Sequence, residues 1–290
     1  MKKTLSVIAG ALLAGTLACT QPGCLSPNMA VLDSPLDIRP RQEYDAKKDL
    51  EDILKAVHCV KTASGYVKEG TSEAPDIKKG YGTAFAYAYD GTYTYLLTNV
   101  HVVSQPESVA MFGIEPKPTG GWSIVANKYK KVSEKSTLVD GVDDENEKDD
   151  IALETVAKNK DLDIAIVRAK KKLHVSRSYI TDYSILPVVG DEVYVTGFPR
   201  GLFKAATKGM VSHPDIVVDK EHLDIIDVTS TFGNSGSPYF IRRGENLYWA
   251  GTVGKVLTYK NTSATLFTIG TPIRSYYKML KEYTGEKKGR

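Results

Sequence analysis

The stretch GYGTAFAYAYDGTYTYLLTNVHVV, residues 80–103, decides the fold. Two apolar runs rich in aromatic residues flank Asp90-Gly91, a dipeptide that favours the tight turn of a β-hairpin. Similar short runs separated by glycines follow along the chain, in DIAIVRA (163–169), VGDEVYVTGFP (189–199), LDIIDVTS (223–230) and YWAGTVGKVL (248–257). Many short strands with glycine turns predict an all-β sandwich or barrel.

Two short helices are expected beside the strands. Residues 44–54 carry apolar side chains at helical spacing. A second pattern follows Pro272 and predicts a helix that closes the chain. Its apolar members are Ile273, Tyr276, Tyr277 and Leu280.

The first residues indicate export. MKK precedes an apolar run, Leu5 to Ala18, which as a helix would rise only about 21 Å and is too short to cross a bilayer. Residues 1–18 are therefore predicted to be a signal peptide. The run ends at Thr16-Leu17-Ala18-Cys19, which resembles the lipobox of bacterial lipoproteins, with Thr16 where leucine is usual. We expect Cys19 to carry a lipid anchor to the bacterial cell envelope, with periplasmic location or simple secretion as the alternative.

Residues 19–42, rich in proline and polar side chains, are predicted to be a flexible tether to a folded domain at 43–290. Without Lys2 and Lys3 the formal charge falls from +3 to +1, so the surface gives no reason to expect nucleic acid as a partner.

The cysteines and the acidic run have ordinary explanations. Cys24 and Cys59 could form a disulfide, but Cys59 in the strand around Val57 is better explained as a small buried residue. No cysteine or histidine cluster predicts a metal site. The acidic run VDDENEKDD (142–150) lacks the spacing of a calcium loop and is predicted to be solvated.

A serine hydroxyl needs a base to take its proton, a third group to orient that base, and backbone N–H donors for the developing oxyanion. Ser235 lies in GNSGSP (233–238), where glycines allow the backbone to curl and direct its N–H groups to one point. Ser235 is the predicted nucleophile.

Of five histidines, none follows Ser235, which excludes the α/β-hydrolase order of catalytic residues. His101 ends a strongly apolar strand and is the predicted base. Asp-Ile-Ala occurs twice, at Asp150 and at Asp163. Asp163 opens an apolar strand, whereas Asp150 ends the acidic run, where a neighbouring like charge disfavours burial. We therefore predict that Asp163 orients His101.

These motifs, in the order His101, Asp163, Ser235, resemble those of chymotrypsin-like serine proteases. Residues 80–103 and DLDIAIVRA (161–169) resemble the His and Asp regions of HtrA-type and glutamyl-endopeptidase-type proteases. VVGDEVYVTGFPRGLFKAATKGMVS (188–212) resembles an HtrA pattern, and GNSGSP resembles the serine loop. The resemblance covers about residues 55–280.

The resemblance implies two six-stranded antiparallel β-barrels with the triad between them, and oxyanion donors at the N–H groups of Gly233 and Ser235. Thr229 stands six places before the serine, where Arg/Lys-specific members carry an acidic residue. A pocket with Thr229 at its floor suits a small or medium apolar side chain. Glutamyl endopeptidases place a histidine after the serine to bind the carboxylate of a glutamate substrate, and no histidine follows Ser235 here. We also expect no PDZ domain.

The sequence therefore predicts an exported serine endopeptidase that acts on polypeptides without a metal or organic cofactor. Two alternatives stay open: a catalytically inactive binding module on the same fold, and an esterase that uses the same triad.

Overall fold

The computed structural model describes residues 47–116, 122–139, 150–258 and 265–283. The predicted tether and signal peptide lie outside these ranges. Helix α1 (Lys47–Lys55) precedes the first barrel and confirms the helix expected near residues 44–54. Among the described helices, none is long and apolar enough to cross a membrane.

The first barrel is formed by β1 (Val57–Lys68), β2 (Asp76–Tyr89), β3 (Thr94–Thr98), β4 (Ser108–Pro116), β5 (Trp122–Val139), β6 (Ile151–Asn159) and β7 (Ile164–Ala169), and the short helix α2 (Val100–Val103) follows β3. Six of these strands close the barrel, all antiparallel, in the order β1-β2-β3-β7-β6-β5, with β5 paired to β1. The seventh, β4, pairs with the N-terminal half of the long β5.

The second barrel is formed by β8 (Glu192–Gly197), β9 (Ala205–Val218), β10 (Glu221–Asp227), β11 (Pro238–Arg243), β12 (Asn246–Thr258) and β13 (Thr265–Pro272). It is closed in the order β10-β13-β12-β11-β8-β9. A 3₁₀ turn and α3 (Tyr277–Glu282) follow, at the position of the predicted C-terminal helix. The prediction of two six-stranded antiparallel barrels is therefore confirmed, with β4 as an addition that the sequence did not reveal.

The hairpin predicted at Asp90-Gly91 joins β2 to β3. The Asp90 carboxylate accepts hydrogen bonds from the N–H groups of Thr92 (2.8 Å) and Tyr93 (2.7 Å), which fixes the turn. The hairpin determines where β3 ends, and therefore where α2 begins.

Aromatic side chains join the two barrels. Phe85 of β2 meets Phe240 of β11 and Trp249 of β12 edge to face, with ring centroids 5.8 and 5.2 Å apart. Such pairs add about 0.5–1.5 kcal/mol each to the burial of their apolar surface. Thr83 lies two residues before Phe85, on the same face of β2, and also contacts the second barrel. Strand β2 therefore fixes the position of one barrel relative to the other.

Candidate active site

Two hydrogen bonds join His101 and Asp163 at the end of β3. His101 lies in α2, directly after β3, and Asp163 lies immediately before β7. The Asp163 Oδ2 atom is 2.5 Å from His101 Nδ1, and Oδ1 accepts the His101 backbone N–H at 3.0 Å. With Nδ1 held by a carboxylate, the ring's Nε2 is the nitrogen left to exchange a proton with another group.

The backbone of Asp163 is also held by the residues that follow β3. Its carbonyl oxygen accepts hydrogen bonds from Asn99 Nδ2 (2.7 Å) and from the Val100 N–H (3.2 Å). Asp163 has a φ of +54°, a left-handed conformation that costs about 1 kcal/mol and that aspartate tolerates better than most residues. The carboxylate is therefore set at a fixed place beside α2.

Ser235 lies in a tight turn between β10 and β11. The Asn234 N–H donates to Thr231 O at 3.1 Å, and the Ser237 N–H donates to Asn234 O at 3.0 Å. Gly233 and Gly236 on either side have φ values of +95° and +89°. A side chain at either glycine would collide with backbone atoms, because an added Cβ would lie 2.4 Å from Phe198 O or 2.0 Å from Thr83 O.

Thr83 fastens this serine loop to the first barrel. Its N–H donates to Ser235 O (2.8 Å), and its hydroxyl donates to Gly233 O (2.8 Å) while accepting the Phe198 N–H (3.0 Å). Thr98 Oγ1 in turn donates to Thr83 O at 2.6 Å. Because Thr98 ends β3 three residues before His101, this buried chain of hydrogen bonds brings the Ser235 loop to the strand end that carries the histidine.

The peptide between Phe232 and Gly233 has a fixed orientation. Phe232 O accepts the Arg200 N–H at 2.5 Å. Since C=O and N–H point to opposite sides of a trans peptide, the Gly233 N–H is directed away from Arg200. Within the described ranges, the N–H groups of Gly233 and Ser235 donate to no other protein group.

The Ser235 hydroxyl is the one predicted triad group that the structure does not join to its partner. Among the described residues, no hydrogen bond links Ser235 Oγ with His101. Hydrogen bonds between a nucleophile and its base are often long before substrate binds and shorten in the complex.

Thr229 lies on the wall of a cleft of about 190 Å³. Its lining is mostly apolar and includes Val195, Phe203 and Ala205. Asn234, the residue before Ser235, lines the same cleft, which places it next to the serine loop. An apolar side chain of modest size fits this lining.

The surroundings predicted for Asp150 were wrong. Its carboxylate is buried rather than solvated, with 5% of the side chain exposed, and it pairs with Lys61 Nζ of β1 at 2.9 Å. Thr137 Oγ1 donates to the same carboxylate at 3.1 Å. The pairing of β1, β5 and β6 supplies this buried partner, so Asp150 has a structural role away from His101. Residues 142–149 of the acidic run lie outside the described ranges.

Cys59 is buried in β1 and carries a free thiol, as the interpretation of it as a small apolar residue predicted. Burial raises the pKa of this thiol to about 12, which keeps it protonated and unreactive. Cys24 lies outside the described residues. In the parts of the chain that the structure describes, no three His, Cys, Asp or Glu side chains are grouped so that they could hold a metal ion.

Comparisons of sequence agree with this geometry. Residues 82–247, more than half of the chain, match the family model described as a trypsin-like peptidase domain. The "Serine protease DegP homolog" of Plasmodium falciparum (isolate 3D7) is 30% identical over 140 residues, which are 43% of this chain and 15% of that protein.

Comparisons of structure find HtrA-type proteases. The HtrA-type protease AlgW with a decapeptide superimposes with a TM-score of 0.54 at 15% identity, over 81% of this chain and 66% of that chain. A variant of AlgW, also with a decapeptide, gives a TM-score of 0.53 at 16% identity, over 81% of this chain and 65% of that chain. The chain thus covers less than two thirds of each relative's length, and at these identities the structural likeness shows the fold.

Proposed function

Since the chain belongs to the family of trypsin-like peptidase domains, we propose that it is a serine endopeptidase that cleaves polypeptides with Ser235, His101 and Asp163. The observation that carries the proposal is the hydrogen bond between His101 Nδ1 and Asp163 Oδ2 at the end of β3. Hydrogen bonds of Thr83 and Thr98 hold the Ser235 loop at the same strand end. A base oriented by a carboxylate, beside a serine in a glycine turn, is the arrangement that acyl transfer requires.

In the proposed reaction, Ser235 Oγ attacks the peptide carbonyl carbon while His101 Nε2 takes the hydroxyl proton. The Asp163 carboxylate stabilises the resulting imidazolium, and the N–H groups of Gly233 and Ser235 stabilise the oxyanion. The C–N bond then breaks as His101 returns the proton to the leaving amine. Water, deprotonated by His101, attacks the ester on Ser235 and releases the acid, which restores the serine hydroxyl.

The substrate is proposed to place an apolar side chain of small or medium size in the cleft beside Thr229. The two HtrA-type structures hold a decapeptide, which supports an extended polypeptide as the substrate class. Lining residues such as Val195 and Phe203 provide no charge that would favour arginine or lysine there.

A fluorophosphonate probe tests the nucleophile. Wild type should be labelled, and Ser235→Ala should not, while Ser237→Ala serves as a control because Ser237 lies in the same loop but is fully buried. Failure of folded wild type to react would favour the inactive binding module instead. Digestion of a random peptide library then separates a protease, which cleaves internal amide bonds, from an esterase, which leaves them intact.

We also propose that the chain is exported and anchored by lipid at Cys19, on the evidence of the sequence MKK and the apolar run that follows. Expression of the full chain in a bacterium with a radiolabelled fatty acid should label wild type and not Cys19→Ala. Recovery of unlabelled wild-type protein in the medium would support simple secretion.

A further inference from the structure

A second hollow lies beside the serine loop, separate from the cleft at Thr229. It encloses about 270 Å³ and is lined by Tyr81, Arg200, Phe232 and Gly233. Phe232 is 78% exposed, which leaves its ring free to contact a bound molecule. The hollow is therefore lined by two aromatic residues and one cationic residue, beside Gly233, whose N–H is proposed to bind the oxyanion.

The Arg200 backbone is held in an uncommon conformation. Its φ is +55°, and the turn is fixed by its own N–H on Phe232 O and by the Gly201 N–H on Phe198 O at 2.9 Å. Glycine would adopt this conformation without the cost of about 1 kcal/mol that a side chain adds. The guanidinium is exposed and, among the described residues, forms no ion pair with a carboxylate.

The lining residues of the cavities assign the hollow to the leaving-group side of the proposed reaction. The cleft at Thr229 meets the serine loop at Asn234, whereas the hollow meets it at Gly233 and is also lined by Tyr81. Tyr81 also lines the groove of about 580 Å³ that contains His101. A chain that begins at the amine protonated by His101 therefore runs past Tyr81 into the hollow.

We propose that Arg200 makes this hollow selective for an Asp or Glu side chain among the first residues after the cleaved bond. A guanidinium binds a carboxylate through two parallel hydrogen bonds, and the rings of Tyr81 and Phe232 pack against the side chain's methylene groups. The inference rests on the proposed function for the direction of the substrate, and it names the substrate class of the same site.

Peptide capture tests the selectivity without any reaction. Immobilised Ser235→Ala protein is incubated with a pool of decapeptides in which each position is Ala, Leu, Glu, Gln or Lys, and bound peptides are identified by mass spectrometry. Glu should be enriched over Gln about threefold to fivefold at one or two positions. Adding Arg200→Gly, which suits the left-handed backbone, should remove the enrichment, and adding Arg200→Glu should shift it toward Lys. Adding Arg177→Gln, a loss of the same charge in a different hollow, should leave it unchanged.

Cleavage of the same pool by the proteins that retain Ser235 shows on which side of the cleaved bond the acidic residue lies. The Glu-to-Gln ratio should be raised after the cut site in wild type and in Arg177→Gln, and should fall to about one in Arg200→Gly. Equal ratios in wild type and Arg200→Glu, or capture without any preference for Glu, would overturn the inference while leaving the protease intact. Capture with the predicted preference but without cleavage would instead refute the proposed function.

Discussion

Replacement of Thr83 by valine tests how the serine loop is held. Valine has nearly the same shape but lacks the hydroxyl that donates to Gly233 O and accepts the Phe198 N–H. Both of those backbone groups are buried, so neither regains a full partner from water. The N–H of residue 83 still donates to Ser235 O, which keeps the loop in place but less firmly fixed.

The magnitude follows from the two groups left without partners. A buried donor or acceptor that loses its hydrogen bond costs about 1–3 kcal/mol, so Thr83→Val should lower the free energy of unfolding by roughly 3 kcal/mol. A displacement of about 1 Å in a catalytic group costs on the order of 10²-fold in rate. We therefore expect labelling by a fluorophosphonate to slow by on the order of 10²-fold in protein that is still folded.

Thr94→Val is the matched control. Thr94 is fully buried at the other end of β3, and its hydroxyl also donates to one carbonyl, Lys171 O (2.7 Å), and accepts one N–H, from Leu173 (3.0 Å). Urea unfolding should show a loss of stability in both variants, smaller in Thr94→Val because Lys171 and Leu173 are partly reached by water. Labelling should slow only in Thr83→Val, and equal labelling rates in the two variants would refute the reasoning.

Three further predictions concern single positions. Asp163→Asn should slow labelling by about 10⁴-fold with the fold intact. Asp150→Asn should lower the free energy of unfolding by about 3–5 kcal/mol and leave the labelling rate of folded protein unchanged. The reverse pattern would assign the catalytic role to Asp150 and the structural role to Asp163. Gly236→Ala should destabilise the protein by at least about 3 kcal/mol in urea unfolding, because its Cβ meets backbone, while Gly244→Ala, with open space around it, should cost only about 1–2 kcal/mol. Burial, together with nearby lysines, lowers the pKa of His58 to about 4. As the pH falls below 6.5, the imidazole is therefore protonated in the unfolded chain before it is protonated in the folded protein. The free energy of unfolding should fall by up to about 3 kcal/mol between pH 6.5 and 4. His58→Leu should lack that loss, and an unchanged pH profile would contradict the assignment.

Short-range patterns predicted the fold because they encode local structure. Asp90-Gly91 predicted the hairpin between β2 and β3, and the apolar run after Asp163 predicted β7. The contact between His101 and Asp163 was predicted because only one of the two Asp-Ile-Ala segments opens an apolar strand. That Ser235 acts as the nucleophile stays a prediction of sequence and geometry together.

Long-range contacts account for what the sequence did not reveal. Lys61, far from Asp150 in sequence, faces it only because β1 and β5 pair, and this buried partner overturned the expectation of a solvated carboxylate. Thr83 reaches Gly233 across 150 residues, with no local signal in either segment. The left-handed backbone at Arg200 likewise depends on a hydrogen bond to Phe232, in another loop.

The acyl-enzyme tests the central claim most directly. The protein is mixed with a peptide substrate found in the library, quenched with acid within the first turnover, digested and analysed by mass spectrometry. The account predicts a peptide acyl group on Ser235 that accumulates further when deacylation is slowed at low pH, and none in Ser235→Ala. Cleavage of the substrate by Ser235→Ala at the wild-type rate, or an acyl group on a different residue, would contradict it.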